Sequence, residues 1–211
     1  MNKLFNLPLT AALLTVTVSA NAATLSLVPD ATTITVGSTF NVDLLITLDE
    51  SNELPNYLGA YDADLSFDSS KITLGDVTFG GKLGDGASGE SWQDFSISAT
   101  GANIYELSLL ETDAVNCNFC VAPYLSDLQT QAAFKLATFV FEAQAEGTVN
   151  FDLIAYALGD GFGESISTTL SSMPSVQVTS VPLPSAAFLF LSILPIFGFR
   201  KSELTWIFSV R

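Results

Sequence analysis

Polar and apolar residues alternate along most of the chain between residues 24 and 179. The alternation is cleanest at residues 40–48, where every second residue is apolar and Asn41, Asp43 and Thr47 lie between them. Side chains of a β-strand point alternately to its two faces, so this pattern predicts a strand with one buried face. Helical periodicity is weak and is confined to residues 124–133, where Ser126 is the expected N-cap of a short helix.

Ten segments have strand character, and Gly, Asn, Asp and Ser residues separate them. They are residues 24–28, 32–36, 40–48, 61–67, 72–79, 93–99, 104–110, 134–143, 148–154 and 175–179. Short strands at this spacing, with almost no helix, predict an all-β chain folded as a β-sandwich. Residues 134–143 are apolar on both faces, which indicates a central strand covered on each side or an edge strand covered by a loop. The Ser/Thr-rich residues 165–172 are expected to form a mobile loop.

The composition limits the partners and the chemistry of the chain. It has 22 acidic residues, 7 basic residues and no histidine, which gives a formal net charge of −15 at pH 7. Such a surface repels phosphate, so nucleic acid is not an expected partner. The lack of histidine excludes Ser-His and Cys-His catalytic pairs and imidazole zinc sites. Cations, neutral glycans and basic proteins are the partners that this charge permits, and solubility alone is the simpler interpretation.

Residues 1–22 have the pattern of a secretory signal peptide. Lys3 supplies the positive charge, residues 4–18 form the apolar stretch, and Ala20 and Ala22 complete an A-x-A cleavage site. The mature chain is therefore expected to be exported and to begin near Ala23.

The C-terminal segment has three parts: a Pro-rich tetrapeptide, an apolar run at residues 183–199 and a basic pair. The tetrapeptide is Val181, Pro182, Leu183 and Pro184, and the basic pair is Arg200 and Lys201. The apolar run would span roughly 25 Å as a helix at ~1.5 Å per residue, which is short for a bilayer core of about 30 Å. The basic pair is expected on the cytoplasmic side of the membrane.

This segment resembles the PEP-CTERM sorting signal of Gram-negative bacterial envelope proteins. The resemblance includes the tetrapeptide, the Ser-Ala-Ala that follows it, the aromatic-rich span and the Gly-Phe-Arg-Lys end. It implies a hydrophobic sorting helix at residues 181–201 that is transiently anchored in the inner membrane, recognised by an exosortase and cleaved near the Pro motif. The protein would then reach the cell surface or the extracellular matrix. Such signals usually end soon after the basic pair, so residues 202–211 are an atypical tail, which a shifted reading frame would also explain.

Residues 23–180 are long enough for one domain with its own core. Four segments in it resemble successive strands of the cohesin-like domains common in PEP-CTERM proteins: residues 36–43 (VGSTFNVD), 58–68 (LGAYDADLSFD), 136–141 (LATFVF) and 145–148 (AEGT). The resemblance implies a jelly-roll β-sandwich of about nine strands with a non-catalytic binding or adhesion role, linked to exopolysaccharide or to a surface protein. The alternatives are a carbohydrate-binding module and a glycoside hydrolase that uses carboxylates.

Cys117 and Cys120 form a C-x-x-C pair. A zinc site needs four ligands and the chain has no other Cys or His, so zinc is not expected. In an exported chain, the expected state is a disulfide that pins a surface loop, and free thiols or redox chemistry are the alternatives.

Asp62 and Asp64 share one face of a predicted strand, about 6.6–6.8 Å apart along it. That distance is compatible with the carboxylate pair of a glycosidase if the pair lines a cleft with sugar-stacking aromatics. A solvated strand face is the favoured interpretation.

Two acidic loops are candidates for a calcium site, and no other cofactor is expected. Carboxylate oxygens are the ligands that calcium prefers, but neither loop has the spacing of an EF-hand. The loops contain Asp49, Glu50 and Glu53, and Asp160 and Glu164.

Trp92 and Tyr57 are the candidates for a sugar-stacking surface. Tyr61 is expected in the core instead, because the residues that alternate with it along the strand are apolar.

Overall fold

The computed structural model describes residues 22–49, 57–115, 121–171 and 173–180. Within these ranges the chain forms twelve strands and one four-residue helix. The elements are β1 (Ala22–Pro29), β2 (Thr33–Thr35), β3 (Thr39–Leu48), β4 (Leu58–Ser66), β5 (Ile72–Phe79), β6 (Ser91–Ser98), β7 (Gly101–Ser108), α1 (Leu125–Leu128), β8 (Ala133–Ala143), β9 (Gly147–Asn150), β10 (Asp152–Asp160), β11 (Ser167–Leu170) and β12 (Ser175–Thr179).

Two large sheets enclose one hydrophobic core, as the sequence predicts for an all-β sandwich. The five-stranded sheet has the order β11-β1-β3-β8-β5, and the four-stranded sheet has the order β10-β4-β7-β6. A smaller sheet, β2-β12-β9, adds Ile34, Val149, Val176 and Val178 to the same core. The two large sheets are joined across the core where the Tyr61 hydroxyl on β4 donates to the Leu136 carbonyl on β8, at 3.1 Å.

The alternation at residues 40–48 becomes β3 with its apolar face buried. Phe40, Val42, Leu44 and Ile46 are each at most 3% exposed, whereas Asn41 is exposed. Burial of each such side chain stabilises the fold by roughly 1.5–3 kcal/mol relative to exposure, before the loss of conformational entropy.

A β-bulge explains why β8 looks apolar on both faces. The pairing with β3 shifts register between Leu44 and Leu45, whose partners are Ala137 and Lys135. The extra residue, Leu136, changes which side chains point inward, so Leu136 and Ala137 are both buried in one core. β8 is a central strand between β3 and β5, which is one of the two predicted alternatives. It is not covered on both faces as that alternative expected, because its apolar residues on either side of the bulge share one core.

Five phenylalanines form an aromatic cluster at the centre of the core. Phe141 contacts the other four rings at centroid distances of 5.1–6.4 Å, in stacked, tilted and edge-to-face arrangements. The other four are Phe40, Phe67, Phe139 and Phe151.

Three expectations about local structure are wrong. Residues 148–154 are not one strand, because the chain passes from the small sheet (β9) to the four-stranded sheet (β10) at the buried Phe151. The loop predicted at residues 165–172 contains β11, which pairs in parallel with β1. α1 has Tyr124 as its N-cap, not Ser126, and the Asp127 carboxylate accepts the Tyr124 N–H at 3.0 Å. The described residues therefore contain twelve strands, whereas the resemblance implies about nine.

Several sequence predictions fall outside the described residues. They concern Ala20 of the signal peptide, the pair Cys117 and Cys120, the loop residues Glu50 and Glu53, and everything from Val181 to Arg211, including Pro182, Leu183, Pro184, Arg200 and Lys201. No helix in the described part of the chain is long and apolar enough to cross a membrane.

Candidate functional site

The outer surface of the four-stranded sheet faces away from the core, and we call it the outer face. The strand registers bring every second residue of β4, β7, β6 and β10 onto it. These residues are Ala60, Asp62, Asp64 and Ser66 on β4, Asn103, Tyr105 and Leu107 on β7, Trp92, Asp94, Ser96 and Ser98 on β6, and Ala155 and Ala157 on β10. Many of them are small, so a partner surface can approach the sheet closely.

Asp62 and Asp64 lie together on the outer face, as predicted, and share one donor. The Asn103 amide on β7 donates to Oδ1 of Asp62 at 2.7 Å and to Oδ1 of Asp64 at 2.8 Å. The three side chains border an open depression of about 200 Å³, together with Ala155, Tyr156 and Ala157 on β10. Trp92 is not among the residues that line this depression, so the carboxylates and the exposed indole occupy separate parts of the face.

The four strands under the outer face contain no lysine or arginine. The three lysines of residues 23–180 lie elsewhere: Lys71 pairs with Asp68, Lys135 lies 3.3 Å from Asp43, and Lys82 donates to the Leu128 carbonyl at 2.8 Å. Asp62, Asp64 and Asp94 therefore give the outer face a negative potential that attracts cationic groups.

Trp92 provides an exposed indole at one end of the outer face. It is 64% exposed, and its neighbour across the strand pair is Leu107 on β7, which in turn lies opposite Ala60. Tyr57 is half-buried just before β4, and its carbonyl accepts the Gly161 N–H at 2.8 Å. Trp92 lies on β6, and Tyr57 immediately precedes β4. Because β7 lies between these two strands, they are about 10 Å apart. Tyr61 is 1% exposed and belongs to the core, as predicted.

Glu106 is a buried acid that is not among the predicted site residues. It lies on the core side of β7, between Tyr61 on β4 and Gln93 on β6, and is 1% exposed. Gln93 Nε2 donates to its Oε1 at 2.8 Å, whereas Oε2 is buried without a hydrogen-bond partner. The nearby hydroxyls of Tyr61 and Ser91 donate instead to the carbonyls of Leu136 and Gly84.

Burial raises the pKa of the Glu106 carboxyl above its ordinary value of 4.5, and hydrogen bonding offsets only part of this effect. Burial also holds the pKa of Tyr61 well above its ordinary value, with a further increase from the neighbouring Glu106 carboxyl. The protonated form of Glu106 is thus the form that the fold stabilises.

Glu106→Gln should therefore remove a pH-dependent part of the folding free energy. Because the folded pKa is raised, the stability contributed by Glu106 is fully present below pH 4.5 and is lost as pH rises through the folded pKa. We expect the unfolding free energy of the wild type to fall relative to that of the variant as pH rises above 4.5, measured by urea titration at several pH values. Glu142→Gln, on the exposed side of β8, controls for the loss of one charge. If the unfolding free energies of the wild type and Glu106→Gln differed by the same amount at every pH, the raised pKa of Glu106 would be contradicted.

Gln129 is a second buried polar group that sequence patterns did not indicate. It follows α1, is 7% exposed, and reaches the first residue of β4. Its Oε1 accepts the Leu58 N–H at 2.8 Å, while its Nε2 donates to the carbonyls of Leu58 at 2.7 Å and Lys82 at 3.1 Å. The side-chain amide thus fixes the start of β4 in the way that a neighbouring strand would.

Asp160 organises one of the two acidic loops that are predicted calcium sites. Its Oδ1 accepts the N–H groups of Phe162 at 2.9 Å and Glu164 at 2.8 Å. Asp49 follows β3, apart from this turn in the sequence. Among the residues that the structure describes, no three His, Cys, Asp or Glu side chains gather closely enough to hold a metal ion. Calcium at either loop stays a prediction.

Comparison of the whole fold with solved structures finds bacterial cohesin modules. A type II cohesin domain from the cellulosome of Acetivibrio cellulolyticus has a TM-score of 0.53 at 13% identity, over 74% of this chain and 95% of that chain. The sixth cohesin of scaffoldin B from the same organism, solved in complex with a Cel5 dockerin, has a TM-score of 0.52 at 12% identity, over 74% of this chain and 99% of that chain. The fold is cohesin-like.

A third cohesin, CaCohA2 from Clostridium acetobutylicum, is 17% identical, with a TM-score of 0.51 over 76% of this chain and 92% of that chain. No family model matches the sequence, and no curated protein is significantly similar to it. At these identities the likeness establishes a cohesin-like fold, so the function has to be argued from the outer face itself.

Proposed function

We propose that this chain is a non-catalytic binding module whose outer face holds a protein partner. The observation that carries the proposal is an exposed sheet face with small side chains, an indole that is 64% exposed, and no cationic residue. Exposed aromatic residues that become buried on association commonly contribute most of the binding energy of an interface.

The chemistry of the outer face indicates the kind of partner. Trp92 and Leu107 offer an apolar contact at one end, and Asp62, Asp64 and Asp94 offer negative charge beside it. A complementary partner has an apolar anchor next to lysine or arginine side chains. Dockerin modules are the first partners to test, because cohesin modules of this fold have been solved in complex with dockerins.

Trp92→Ala should weaken partner binding at least about thirtyfold, as expected for an aromatic hot spot of about 2 kcal/mol or more. The measurement is calorimetric titration of the protein with a panel of dockerin modules. Val28→Ala is the matched control, because Val28 is 45% exposed on β1 of the other sheet. Binding that survives Trp92→Ala unchanged would contradict an outer-face interface, and an absence of binding to every dockerin would contradict this class of partner.

Carbohydrate binding is the second candidate, and the exposure of Trp92 is the observation that favours it. An exposed indole stacks on the apolar face of a sugar ring without needing a deep cleft. The test is a glycan array with the wild type and Trp92→Ala. Saturable binding to a glycan that the variant loses would favour this candidate, and an array without binding would count against it.

A glycoside hydrolase is the less favoured alternative. The Asp62 and Asp64 carboxylates share the Asn103 amide and lie on an open sheet face, not in a cleft. These arrangements suit a surface for recognition better than a site that must exclude water.

We also propose that the module is exported, sorted by an exosortase and delivered to the cell surface or the exopolysaccharide matrix. The signal-peptide pattern at residues 1–22 and the Pro-rich, apolar and basic parts of residues 181–201 support this proposal. The module would then present the outer face outside the cell, with the membrane as a transient anchor.

Deletion of residues 181–211 should release the protein into the periplasm or the medium. The reason is that the deletion removes the apolar run and the basic pair that would retain it. Deletion of residues 202–211 alone is the control and should leave the distribution between the membrane, surface and soluble fractions as in the wild type. Retention of the longer deletion in the membrane fraction would contradict the anchor.

A further inference from the structure

Apart from the charge of Asp94, the edge strand β6 lacks the features that usually prevent sheets from joining. β6 is the last strand of the four-stranded sheet and pairs with β7 along its whole length without a register shift. Its sequence, SWQDFSIS, contains no lysine, proline or glycine. Phe95 and Ile97 on its core side are 40% and 48% exposed. A long, regular and partly apolar edge of this kind is a template for pairing with another strand.

The other edges of the two large sheets are protected. β10, at the opposite edge of the same sheet, has register shifts between Leu153 and Ala155 and between Gly159 and Asp160. β5 has one shift, between Leu74 and Asp76, and β11 has only four residues. Bulges and short strands interrupt the row of free N–H and C=O groups at these three edges. Among the four edges of the two large sheets, β6 is therefore the one that is both long and regular.

The hydrogen bonds to β7 determine which backbone groups of β6 are free. The Leu109 N–H donates to the Glu90 carbonyl at 2.8 Å, so Glu90 and Leu109 form a hydrogen-bonded pair. Such pairs recur at every second residue, so the N–H and C=O groups of Trp92, Asp94 and Ser96 bond to β7. The N–H and C=O groups of Phe95 and Ile97 therefore point away from β7. At the start of the strand, Gly86 packs closely against the Gln93 side chain, which leaves residues 94–98 as the open part of the edge.

We propose that β6 pairs with β6 of a second copy of this chain, antiparallel and with the two-fold axis at Ser96. In this register Phe95 lies opposite Ile97 of the second copy, and Asp94 lies opposite Ser98. Residues 94–98 are self-complementary because the exposed apolar residues meet each other while the carboxylates stay apart. A two-fold axis at Asp94 would bring the two carboxylates together, and one at Phe95 would place Ile97 against the covered Gln93.

The charge of the protein sets how strong this pairing is. Each copy has a formal net charge of −15, so the copies repel at low ionic strength. The paired segment contains a single carboxylate, Asp94, and is therefore a part of the surface where two copies approach with little repulsion. About four backbone hydrogen bonds form, and the contact is small, so we expect a weak dimer that salt strengthens. The two outer faces then lie side by side on one continuous sheet, a consequence that does not depend on what they bind.

Disulfide trapping of the full chain in detergent solution tests the register. Ser96 would face Ser96 of the second copy at a non-hydrogen-bonded position, where Cα atoms are about 4.5 Å apart and a disulfide can form. The background carries Cys117→Ser and Cys120→Ser. Ser96→Cys should give a cross-linked dimer under mild oxidation. Asp94→Cys, on the same exposed side of the same strand, should not, because its two copies are about 14 Å apart.

A second variant separates strand pairing from random collision. Ile97→Lys, added to Ser96→Cys, should lower the yield of the cross-linked dimer several-fold, and 0.5 M NaCl should raise the yield without the lysine. Equal cross-linking of Ser96→Cys and Asp94→Cys, no cross-linking of Ser96→Cys, or a yield that the lysine leaves unchanged would each overturn the proposal.

Discussion

Replacing Phe141 with alanine is expected to lower the free energy of unfolding by about 3–5 kcal/mol. Phe141 is fully buried, and its ring lies 5.6 Å from Phe40, 5.1 Å from Phe67, 6.4 Å from Phe139 and 5.3 Å from Phe151, measured between ring centroids. The substitution removes the ring that all four others share, and the surrounding strands are fixed by their ladders and cannot close the cavity. A loss of this size is a large part of the stability of a typical domain.

Urea denaturation of wild type and variant measures this loss. Phe162→Ala is the matched control, because the same chemical change is made at a residue that is 72% exposed. The control should change the unfolding free energy by less than about 0.5 kcal/mol. Equal effects of the two substitutions would show that the aromatic cluster is not the centre of the core.

Gln129→Ala is expected to lower the unfolding free energy by about 2–6 kcal/mol. The substitution leaves the buried N–H and C=O of Leu58 without partners, and each unsatisfied group costs about 1–3 kcal/mol. It also removes the contact to the Lys82 carbonyl, which connects the loop after β5 to the start of β4. The first residues of β4 should therefore lose protection from amide hydrogen exchange more than the rest of the strand.

Gln144→Ala is the control for this second substitution. Gln144 is exposed in the turn after β8, where only its backbone N–H is seen to donate, to the Lys71 carbonyl at 2.6 Å. It should leave both stability and exchange close to those of the wild type. If Gln129→Ala behaved like Gln144→Ala, water would have to replace the buried amide, and the interpretation of Gln129 as a structural clamp would be wrong.

The sequence predicts the strands well because strand periodicity is a local property. The predicted bounds of β3 and β5 agree with the structure to within one residue. β3 shows its buried face as alternation, and β5 does so on either side of its register shift between Leu74 and Asp76. β11 was missed for the opposite reason. Its residues Ser167, Thr168, Thr169 and Leu170 carry almost no apolar pattern, and it is a strand because it pairs with β1, far away in the sequence.

The bulge in β8 and the corner at Phe151 show a second limit of sequence patterns. Both are places where the chain changes which side chains face the core, and an apolar run has the same composition with or without that change. The bulge is defined only by the pairing of β8 with β3. The corner is defined only by the fact that β9 and β10 belong to different sheets. Local periodicity therefore finds strands more reliably than it finds their joins.

The candidate site was predictable in part. The placement of Asp62 and Asp64 on one exposed face follows from alternation alone, and so does the burial of Tyr61. The shared donor Asn103, the buried Glu106 and the clamp Gln129 follow from contacts between strands or loops that are distant in sequence. A polar residue at a core position of an alternating strand, such as Glu106 between Ile104 and the next core-facing position, is the signal that would have revealed the buried acid.

The two ends of the described chain lie at opposite ends of the sandwich. β1 begins beside the end of β3, where Ala23 faces Leu48. β12 ends near the beginning of β3, where Thr179 faces Thr35 and accepts the Val36 N–H at 3.0 Å. The last described strand, β12, therefore ends at the opposite end of the sandwich from the start of β1.

The position of this last strand bears on how the module would carry mechanical load. With the proposed anchor beyond residue 180 and the proposed partner on the outer face, force would act on β12, which pairs with β2 in parallel and with β9 in antiparallel. A force along β12 shears both rows of hydrogen bonds at once instead of breaking them one at a time. The resistance of the anchored module to flow would then depend on the rate of forced unfolding of this small sheet.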